Sequence, residues 1–318
     1  MAFDDDLDLS ETLYAVAGEV GGEQPHDAAD TVIDDSLNGI KDGPPPYLSP
    51  SSASTFRSCA KRWKFRYVDR LADPAGEAAL AGTFAHRVLE LLLQESPAVR
   101  TTDRAREISR EVWPETEADP DFVALGLDET EQRRFRWLSW TAIEGLWRLE
   151  NPAEVAVEAT EQKIDTTIVD VPFRGIVDRL DRDPSSGLVV VDYKSGRAPS
   201  RRFADARLDQ VLLYAAAIEA QTGERPQAAR LLYLGQCIID TEVTDELLQA
   251  SVDGLHSTWE KIATSTASAE YEANPGPLCG WCPYAGECAE GLAELESRQA
   301  SGRIRSSAPS LRFLATAS

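Results

Sequence analysis

The segment Gly187–Lys194, GLVVVDYK, constrains the fold of this chain more than any other. Its run of β-branched residues is typical of a buried strand, and it ends on an aspartate and a lysine two positions apart. Side chains alternate between the faces of a strand, so Asp192 and Lys194 lie on one face about 7 Å apart. The sequence therefore brings a carboxylate and a cation to one end of a sheet.

The surrounding segments predict the rest of the sheet. Two earlier segments, VAVEATEQKIDTTIVD and VPFRGIVDRLDRD, also have strand character, and turn residues over 183–187 separate the second of them from GLVVVDYK. After this three-stranded meander we expect a helix over 203–222, a strand over 229–240 and a helix over 245–264. Helical patterns dominate before Pro152, including one over 52–67. This order predicts an α/β fold with a central mixed sheet flanked by helices.

Composition divides the chain into five parts. We expect a disordered acidic tail over 1–46, a helical region over 47–150, an α/β core over 151–270, a cysteine-rich region over 271–296 and a flexible tail over 297–318. The acidic tail has twelve Asp or Glu residues and one Lys, and so carries half of the net charge of −22.

Neither a membrane segment nor a secretory signal is evident. No apolar run approaches the roughly 18 residues that a membrane helix needs. The first ten residues are acidic, whereas a secretory signal is basic. We therefore expect a cytoplasmic protein without membrane partners. In a reducing compartment, clustered cysteines indicate metal or redox chemistry rather than disulfides.

A second carboxylate, Asp178, lies late in the strand that precedes Asp192. A hairpin between the two strands can place both side chains together at the end of a buried sheet. Burying them is costly unless a cation neutralises them, and oxygen ligands suit Mg²⁺ or Mn²⁺. Lys194 would then orient an attacking water and stabilise charge on a phosphate. A surface ion pair at a strand end is the alternative.

Four short motifs follow one another along the chain: Gly82-Thr-Phe-Ala-His86, Gly175-Ile-Val-Asp178, Asp192-Tyr-Lys194 followed by Ser195-Gly196, and Gln210-Val-Leu-Leu-Tyr214. In this order they resemble the motifs of RecB-type nucleases of the PD-(D/E)XK superfamily, including CRISPR-associated RecB-like exonucleases. The resemblance covers about residues 47–290 and implies a restriction-endonuclease-like core over 151–270.

The resemblance also implies an activity, that of a Mg²⁺- or Mn²⁺-dependent DNA exonuclease. The implied metal ligands are His86, Asp178, Asp192 and the backbone carbonyl of Tyr193. The implied catalytic residues are Asp178, Asp192, Lys194, Gln210 and Tyr214, of which Lys194 assists the attacking water and the last two position DNA and the active site. The implied partners are DNA ends or single strands, and proteins of a repair, recombination, replication or CRISPR-adaptation complex.

The sequence leaves the roles of two further sets of acidic residues open. Glu90 lies one helical turn after His86 and either holds its imidazole or forms a surface pair. Glu158 or Glu161 could serve as an auxiliary acid, and solvated strand charges are the simpler alternative.

Four cysteines form a candidate metal centre. Cys279, Cys282 and Cys288 have C-x2-C-x5-C spacing, and Cys59 lies far upstream. Four thiolates suit zinc or an iron–sulfur cluster, and spacing alone favours the commoner zinc. The split layout resembles the iron–sulfur staple of these nucleases and implies a structural [4Fe–4S] cluster. Cys237 is expected to be a core residue.

The predicted DNA-binding surface is a basic stripe around Cys59, formed by Arg57, Lys61, Arg62, Lys64, Arg66 and Arg70. Its DNA contacts are expected to be Arg57, Lys61, Arg62 and Arg66. Aromatic residues within the stripe could stack on bases, but their helical spacing favours the core. Two other classes of function stay open: a catalytically inactive iron–sulfur subunit that binds DNA or assembles a complex, and a zinc-stapled interaction module.

Overall fold

The computed structural model describes residues 43–185, 187–200 and 207–315 of the 318-residue chain. The predicted acidic tail over 1–46 therefore lies almost entirely outside the described residues. None of the described helices is both long and apolar enough to cross a lipid bilayer.

The helices are α1 (Pro50–Ser58), α2 (Ala60–Tyr67), α3 (Glu77–Gln94), α4 (Thr102–Glu117), α5 (Pro120–Ala124), α6 (Glu129–Glu144), α7 (Asp209–Thr222), α8 (Asp245–Ser268), α9 (Ala289–Ala300) and α10 (Arg312–Ala315). The strands are β1 (Val157–Ile168), β2 (Val171–Asp183), β3 (Gly187–Lys194), β4 (Ala228–Tyr233) and β5 (Cys237–Glu242).

The strands form one mixed sheet in the order β1-β2-β3-β4-β5. All neighbours are antiparallel except β3 and β4, which are parallel and are connected through α7. This confirms the predicted α/β class and the central mixed sheet. The single strand predicted over 229–240 is wrong: a turn containing Gly235, with φ of +74°, divides it into β4 and β5.

Helices cover both faces of the sheet. On one face, α1, α2, α7 and α8 pack over a core that includes Phe173 and Val190. On the other face, α3, α4 and α6 pack over Val189 and Val191. Strand β3 is thus buried on both sides, which explains its continuous apolar sequence.

The helix predicted over 52–67 is in fact two helices. A capping box between Ser49 and Ser52, with Pro50 in the first turn, starts α1. Cys59 then adopts an extended conformation, with φ of −164° and ψ of 108°, and separates α1 from α2. The continuous prediction failed because the residues on both sides of Cys59 are compatible with a helix.

The C-terminal segment packs against the cysteine-rich region. Part of the flexible tail predicted over 297–318 completes α9. Further on, the Ser310 hydroxyl donates a hydrogen bond to the Cys282 carbonyl at 2.8 Å, and Ile304 and Ala308 contact Gly280.

Candidate active site and cysteine cluster

Three acidic residues form a row across the first three strands. The β2–β3 pairing ends at Arg179 and Val191, and Asp178 and Asp192 are the next residues on the two strands, as the predicted hairpin requires. Glu161 lies level with Asp178, between the pairs that flank it in the β1–β2 register. Glu161 has a φ of +47°, a conformation that is strained for a residue with a side chain. Such strain is concentrated at functional sites, where the surrounding structure holds it in place.

Helix α3 brings His86 to this row. Its Nδ1 lies 3.5 Å from Oδ2 of Asp178, and both side chains are largely buried. Ligand atoms of His86, Glu161 and Asp178 all lie within 4.8 Å of one another. Nε2 of His86 is buried and has no hydrogen-bond partner within the described residues.

Burial and neighbouring charges shift the pKa values of all three side chains in this group. Burial acts to lower the pKa of His86, but the carboxylate and hydrogen bond of Asp178 outweigh it and raise that pKa to about 9. Burial and the charge of Asp178 raise the pKa of Glu161 to about 7. For Asp178, burial opposes ionisation, yet His86 and the Tyr193 amide lower its pKa overall. One imidazole and several carboxylates in such a site fit a hard divalent cation such as Mg²⁺ or Mn²⁺.

Asp192 and Lys194 form a second group beside the first. Lys194 Nζ lies 2.9 Å from Oδ2 of Asp192 and donates to Oε1 of Gln210 at 2.9 Å. Nε2 of Gln210 donates in turn to Oδ1 of Asp192 at 3.0 Å. Both charged side chains are buried. Helix α7 therefore supplies a bridge that fixes the lysine relative to the carboxylate.

The two tyrosines named from the sequence lie in different environments. The Tyr193 amide donates to Oδ2 of Asp178 at 2.7 Å, while its hydroxyl accepts from Arg179 at 2.8 Å. Tyr214 is buried and packs edge-on against Phe173, with ring centroids 6.4 Å apart. The backbone of Tyr193 therefore contributes to the site, whereas the ring of Tyr214 packs next to the site in the core.

The structure distinguishes between the open acidic roles. Glu90 accepts a hydrogen bond from Arg87 at 2.7 Å and its side chain is largely buried, so it forms a partly buried ion pair with Arg87. Glu158 is exposed and pairs with Arg182 at 2.9 Å. Glu161 is therefore the glutamate that joins His86 and Asp178.

The four predicted cysteines line one pocket. None of them is in a disulfide. Three of the sulfurs accept a backbone N–H hydrogen bond: Cys59 from Asn274 at 3.5 Å, Cys279 from Gly276 at 3.4 Å and Cys288 from Gly291 at 3.3 Å. Cys237 lies apart from them, in β5.

Burial raises the pKa of three of these thiols, Cys279, Cys282 and Cys288, and that of Cys282 reaches about 11. Forming thiolates here therefore requires a positive centre. Within the described part of the chain, no three of the sulfurs lie within 4.8 Å of one another. Four thiolates on one tetrahedral zinc, each about 2.3 Å from the metal, would be about 3.8 Å apart.

The basic stripe is largely ion-paired. Its contacts are Arg57–Asp209 at 2.7 Å, Lys61–Glu290 at 2.6 Å, Lys64–Asp69 at 2.5 Å and Arg66–Asp73 at 3.0 Å. Arg62 instead lines the cysteine pocket. Phe56 and Trp63 are buried and Tyr67 is half-buried, as the core interpretation of the aromatic residues requires, and Phe65 is buried as well.

Residues 47–289 match the family model of the PD-(D/E)XK nuclease superfamily. The match covers more than half of the chain, and the chain belongs to this superfamily. The nuclease part of the resemblance drawn from the four motifs is thereby confirmed, whereas the similarity to CRISPR-associated enzymes stays a prediction.

Curated relatives are much longer proteins. The chain is 25% identical over 224 residues to an ATP-dependent helicase/deoxyribonuclease subunit of Streptococcus agalactiae serotype Ia, covering 65% of this chain and 20% of that protein. It is 27% identical over 157 residues to the protein of the same name from Streptococcus mutans, covering 48% of this chain and 14% of that protein. The chain thus spans a fifth or less of the length of these relatives.

Among solved structures, a protein named "Putative exonuclease" from Eubacterium rectale aligns with 80% of this chain and 90% of its own. The TM-score is 0.49 and the sequence identity 13%.

Proposed function

We propose that this chain is a Mg²⁺- or Mn²⁺-dependent deoxyribonuclease, an exonuclease that hydrolyses phosphodiester bonds at DNA ends or in single strands. The observation that carries the proposal is the partly buried group of His86, Glu161 and Asp178 beside the buried Asp192–Lys194 pair. Membership of the PD-(D/E)XK nuclease superfamily supports the same chemistry. The names of the streptococcal relatives support DNA as the substrate and a protein partner.

His86, Glu161 and Asp178 would hold the divalent cation, with Asp192 and the carbonyl of Tyr193 beside them. When bound, this cation supplies Lewis acidity and charge neutralisation for the phosphate. The Tyr193 amide keeps one oxygen of Asp178 in a fixed orientation. The ligands are thus arranged before the substrate arrives.

Lys194 acts on the reacting phosphate. Its ammonium group orients the attacking water and stabilises the charge that develops as a new P–O bond forms and the bond to the leaving sugar oxygen breaks. Gln210 bonds to both Lys194 and Asp192 and therefore keeps the ammonium group at a fixed position. Tyr214 supports the site by packing against Phe173 of β2.

The cysteine pocket would hold a structural [4Fe–4S] cluster. Four cysteines that line one pocket, three of them with sulfurs that accept a backbone N–H bond, form an environment for thiolate ligands. The split layout, with one cysteine far upstream of the other three, resembles the iron–sulfur staple of related nucleases and favours this cluster over zinc. The cluster would tie α2 to the C-terminal region and so close a loop of over two hundred residues.

The cellular setting belongs to the same proposal. A cytoplasmic role in DNA repair, recombination, replication or CRISPR-type adaptation is consistent with a reducing compartment, free cysteines and relatives named as subunits. Arg57, Lys61 and Arg66 would reach DNA phosphates only by exchanging their carboxylate partners for the strand.

One anaerobic purification tests the proposal. The absorption spectrum near 400 nm is recorded, and the protein is incubated with end-labelled single- and double-stranded DNA in Mn²⁺, Mg²⁺ or EDTA. We expect a brown protein that degrades DNA only with added metal. Lys194→Met should abolish cleavage, whereas Lys163→Met, at an exposed position of β1, should not.

Other outcomes discriminate between functions. A brown protein without cleavage would indicate an inactive iron–sulfur subunit, and a colourless, zinc-containing, inactive protein would indicate an interaction module. Equal cleavage by the Lys194 and Lys163 variants would remove Lys194 from the mechanism.

A further inference from the structure

Arg62 differs from the other cations of the basic stripe. Its Nε is buried and has no hydrogen-bond partner among the residues described. Arg57, Lys61, Lys64 and Arg66 each lie 2.5–3.0 Å from a carboxylate oxygen. A buried donor without an acceptor is costly, and it indicates a partner that the polypeptide does not supply.

The position of Arg62 on α2 identifies where that partner lies. Arg62 and Phe65 are three residues apart on α2, and both line the cysteine pocket together with Cys59, the extended residue that precedes the helix. Residues with this spacing share one face of a helix. Arg62 therefore faces the same space as the four sulfurs.

The other charged side chains near the sulfurs occur as ion pairs. The charge of Lys61 opposes the rise in the pKa of Cys288, but Lys61 itself pairs with Glu290 at 2.6 Å. The charge of Arg298 opposes the rise in the pKa of Cys279, but Arg298 itself pairs with Glu294 at 2.6 Å. Among the described residues, these pairs leave Arg62 as the cation near the sulfurs without a carboxylate partner. Its charge opposes the rise in the pKa of Cys282 that burial causes.

We propose that Arg62 donates its buried N–H to the metal centre bound by Cys59, Cys279, Cys282 and Cys288, and offsets part of its negative charge. Arg62 is then a charge-compensating residue of that centre rather than the DNA contact that the sequence predicted. This inference rests on the proposed function, in which the four cysteines hold a metal centre.

Two consequences follow from the chemistry. Charge and hydrogen bonds at the sulfurs set both the affinity and the reduction potential of such a centre. Removing the cation should make the centre easier to lose. It should also disfavour the reduced state, because that state carries one more negative charge.

The test compares Arg62→Gln with Arg57→Gln in the full chain, purified anaerobically. Each variant loses one positive charge from the stripe, but Arg57 faces Asp209 rather than the cysteines. We measure iron and zinc content, the rate of metal loss to a chelator, and the reduction potential of the visible chromophore. Arg62→Lys keeps the charge but lacks the guanidinium Nε, and melting curves check that each variant folds.

We expect Arg62→Gln to lose its metal several-fold faster than the wild type, while Arg57→Gln matches the wild type. The reduction equilibrium should shift about tenfold toward the oxidised form, which corresponds to about 59 mV for one electron. Arg62→Lys should keep most of the potential and lose metal at an intermediate rate.

Identical loss rates and potentials for the two glutamine variants would overturn the role of Arg62 and leave the nuclease proposal intact. If the wild type contains zinc, there is no reduction potential to compare, and the rate of metal loss alone tests the role of Arg62. A wild type that binds neither iron nor zinc would overturn both the metal centre and the role of Arg62, and DNA cleavage would then be judged separately.

Discussion

The ring of Tyr214 lies directly against the backbone of Gly175. A β-carbon built on Gly175 would come within 2.5 Å of Cε1 of Tyr214, closer than real contacts allow. Gly175 begins the segment that ends at Asp178, and Tyr214 lies one helical turn after Gln210. The contact therefore sets how closely α7 approaches β2, and with it the position of Gln210 relative to the carboxylates.

Gly175→Ala should destabilise the protein by about 1–3 kcal/mol, the range for an overpacked core. Cleavage should also fall, because a displaced α7 moves Gln210 away from Lys194. Denaturant unfolding and the cleavage rate measure the two effects. Gly254→Ala is the matched control, since Gly254 lies in α8 with nothing within 4 Å of its added β-carbon. It should be neutral or stabilising by up to about 1 kcal/mol.

A second substitution checks the cause. If the clash with the ring is responsible, Gly175→Ala combined with Tyr214→Leu should be less destabilised than the sum of the two single changes. Additive losses would mean that the glycine is needed for another reason.

Glu161→Gln should stabilise the metal-free protein at pH 8 and have little effect at pH 5. The pKa of Glu161 in the folded protein, about 7, lies above its ordinary value of 4.5. The free energy of unfolding therefore falls as pH rises from 4.5 to 7, and above pH 7 it stays lower by the full amount. Since one pKa unit corresponds to about 1.4 kcal/mol, we expect a gain of about 1–3 kcal/mol at pH 8 in EDTA.

With Mn²⁺ present, the order of stabilities should reverse, because the wild type then gains a ligand that the variant lacks. Glu158→Gln is the control, since Glu158 is exposed and pairs with Arg182. It should change the free energy of unfolding by less than about 0.5 kcal/mol at either pH. Equal behaviour of the two variants would exclude Glu161 from the metal site.

The sequence predicts the neighbouring carboxylates better than it predicts Glu161, for a physical reason. Asp183 and Gly187 pair across a turn with recognisable turn residues, so the β2–β3 register is readable. The β1–β2 turn contains Val169, with φ of +58°, a conformation that β-branched residues rarely adopt. The residue types of this turn therefore do not reveal the β1–β2 register, and local sequence could not select Glu161 over Glu158.

The break at Cys59 escaped prediction for a similar reason. Residues on both sides favour a helix, and the extended conformation of Cys59 is accompanied by a hydrogen bond from the Asn274 amide, 215 residues away in sequence. The cysteine pattern predicts that the four sulfurs meet, but only the fold places Arg62 beside them.

Cys59→Ser should remove the absorption near 400 nm and lower the melting temperature, because it detaches α2 from the C-terminal region. Iron content, absorption and melting temperature measure the effect. Cys237→Ser is the matched control, since Cys237 lies in β5 outside the pocket. It should keep its iron and colour. Loss of colour in both variants would indicate general misfolding instead of a specific ligand.

Arg179 and Arg182 provide a paired test of buried and exposed charge. Arg179 is fully buried and contacts Glu150 at 2.5 Å and Asp181 at 2.9 Å. Arg179→Met should cost about 3–5 kcal/mol, because it leaves two carboxylates without their cation. Arg182 is exposed and pairs with Glu158 and Glu224, so Arg182→Met should cost at most about 1 kcal/mol.

Arg179 also donates to the Tyr193 hydroxyl, and the Tyr193 amide holds Asp178. Arg179→Met should therefore weaken Mn²⁺ binding, measured by calorimetry at a temperature where the variant is folded, whereas Arg182→Met should not. Unchanged Mn²⁺ affinity in a folded Arg179 variant would mean that the strand backbone alone positions Tyr193. Weaker affinity would show that a charge network on the opposite face of the sheet maintains the geometry of the metal ligands.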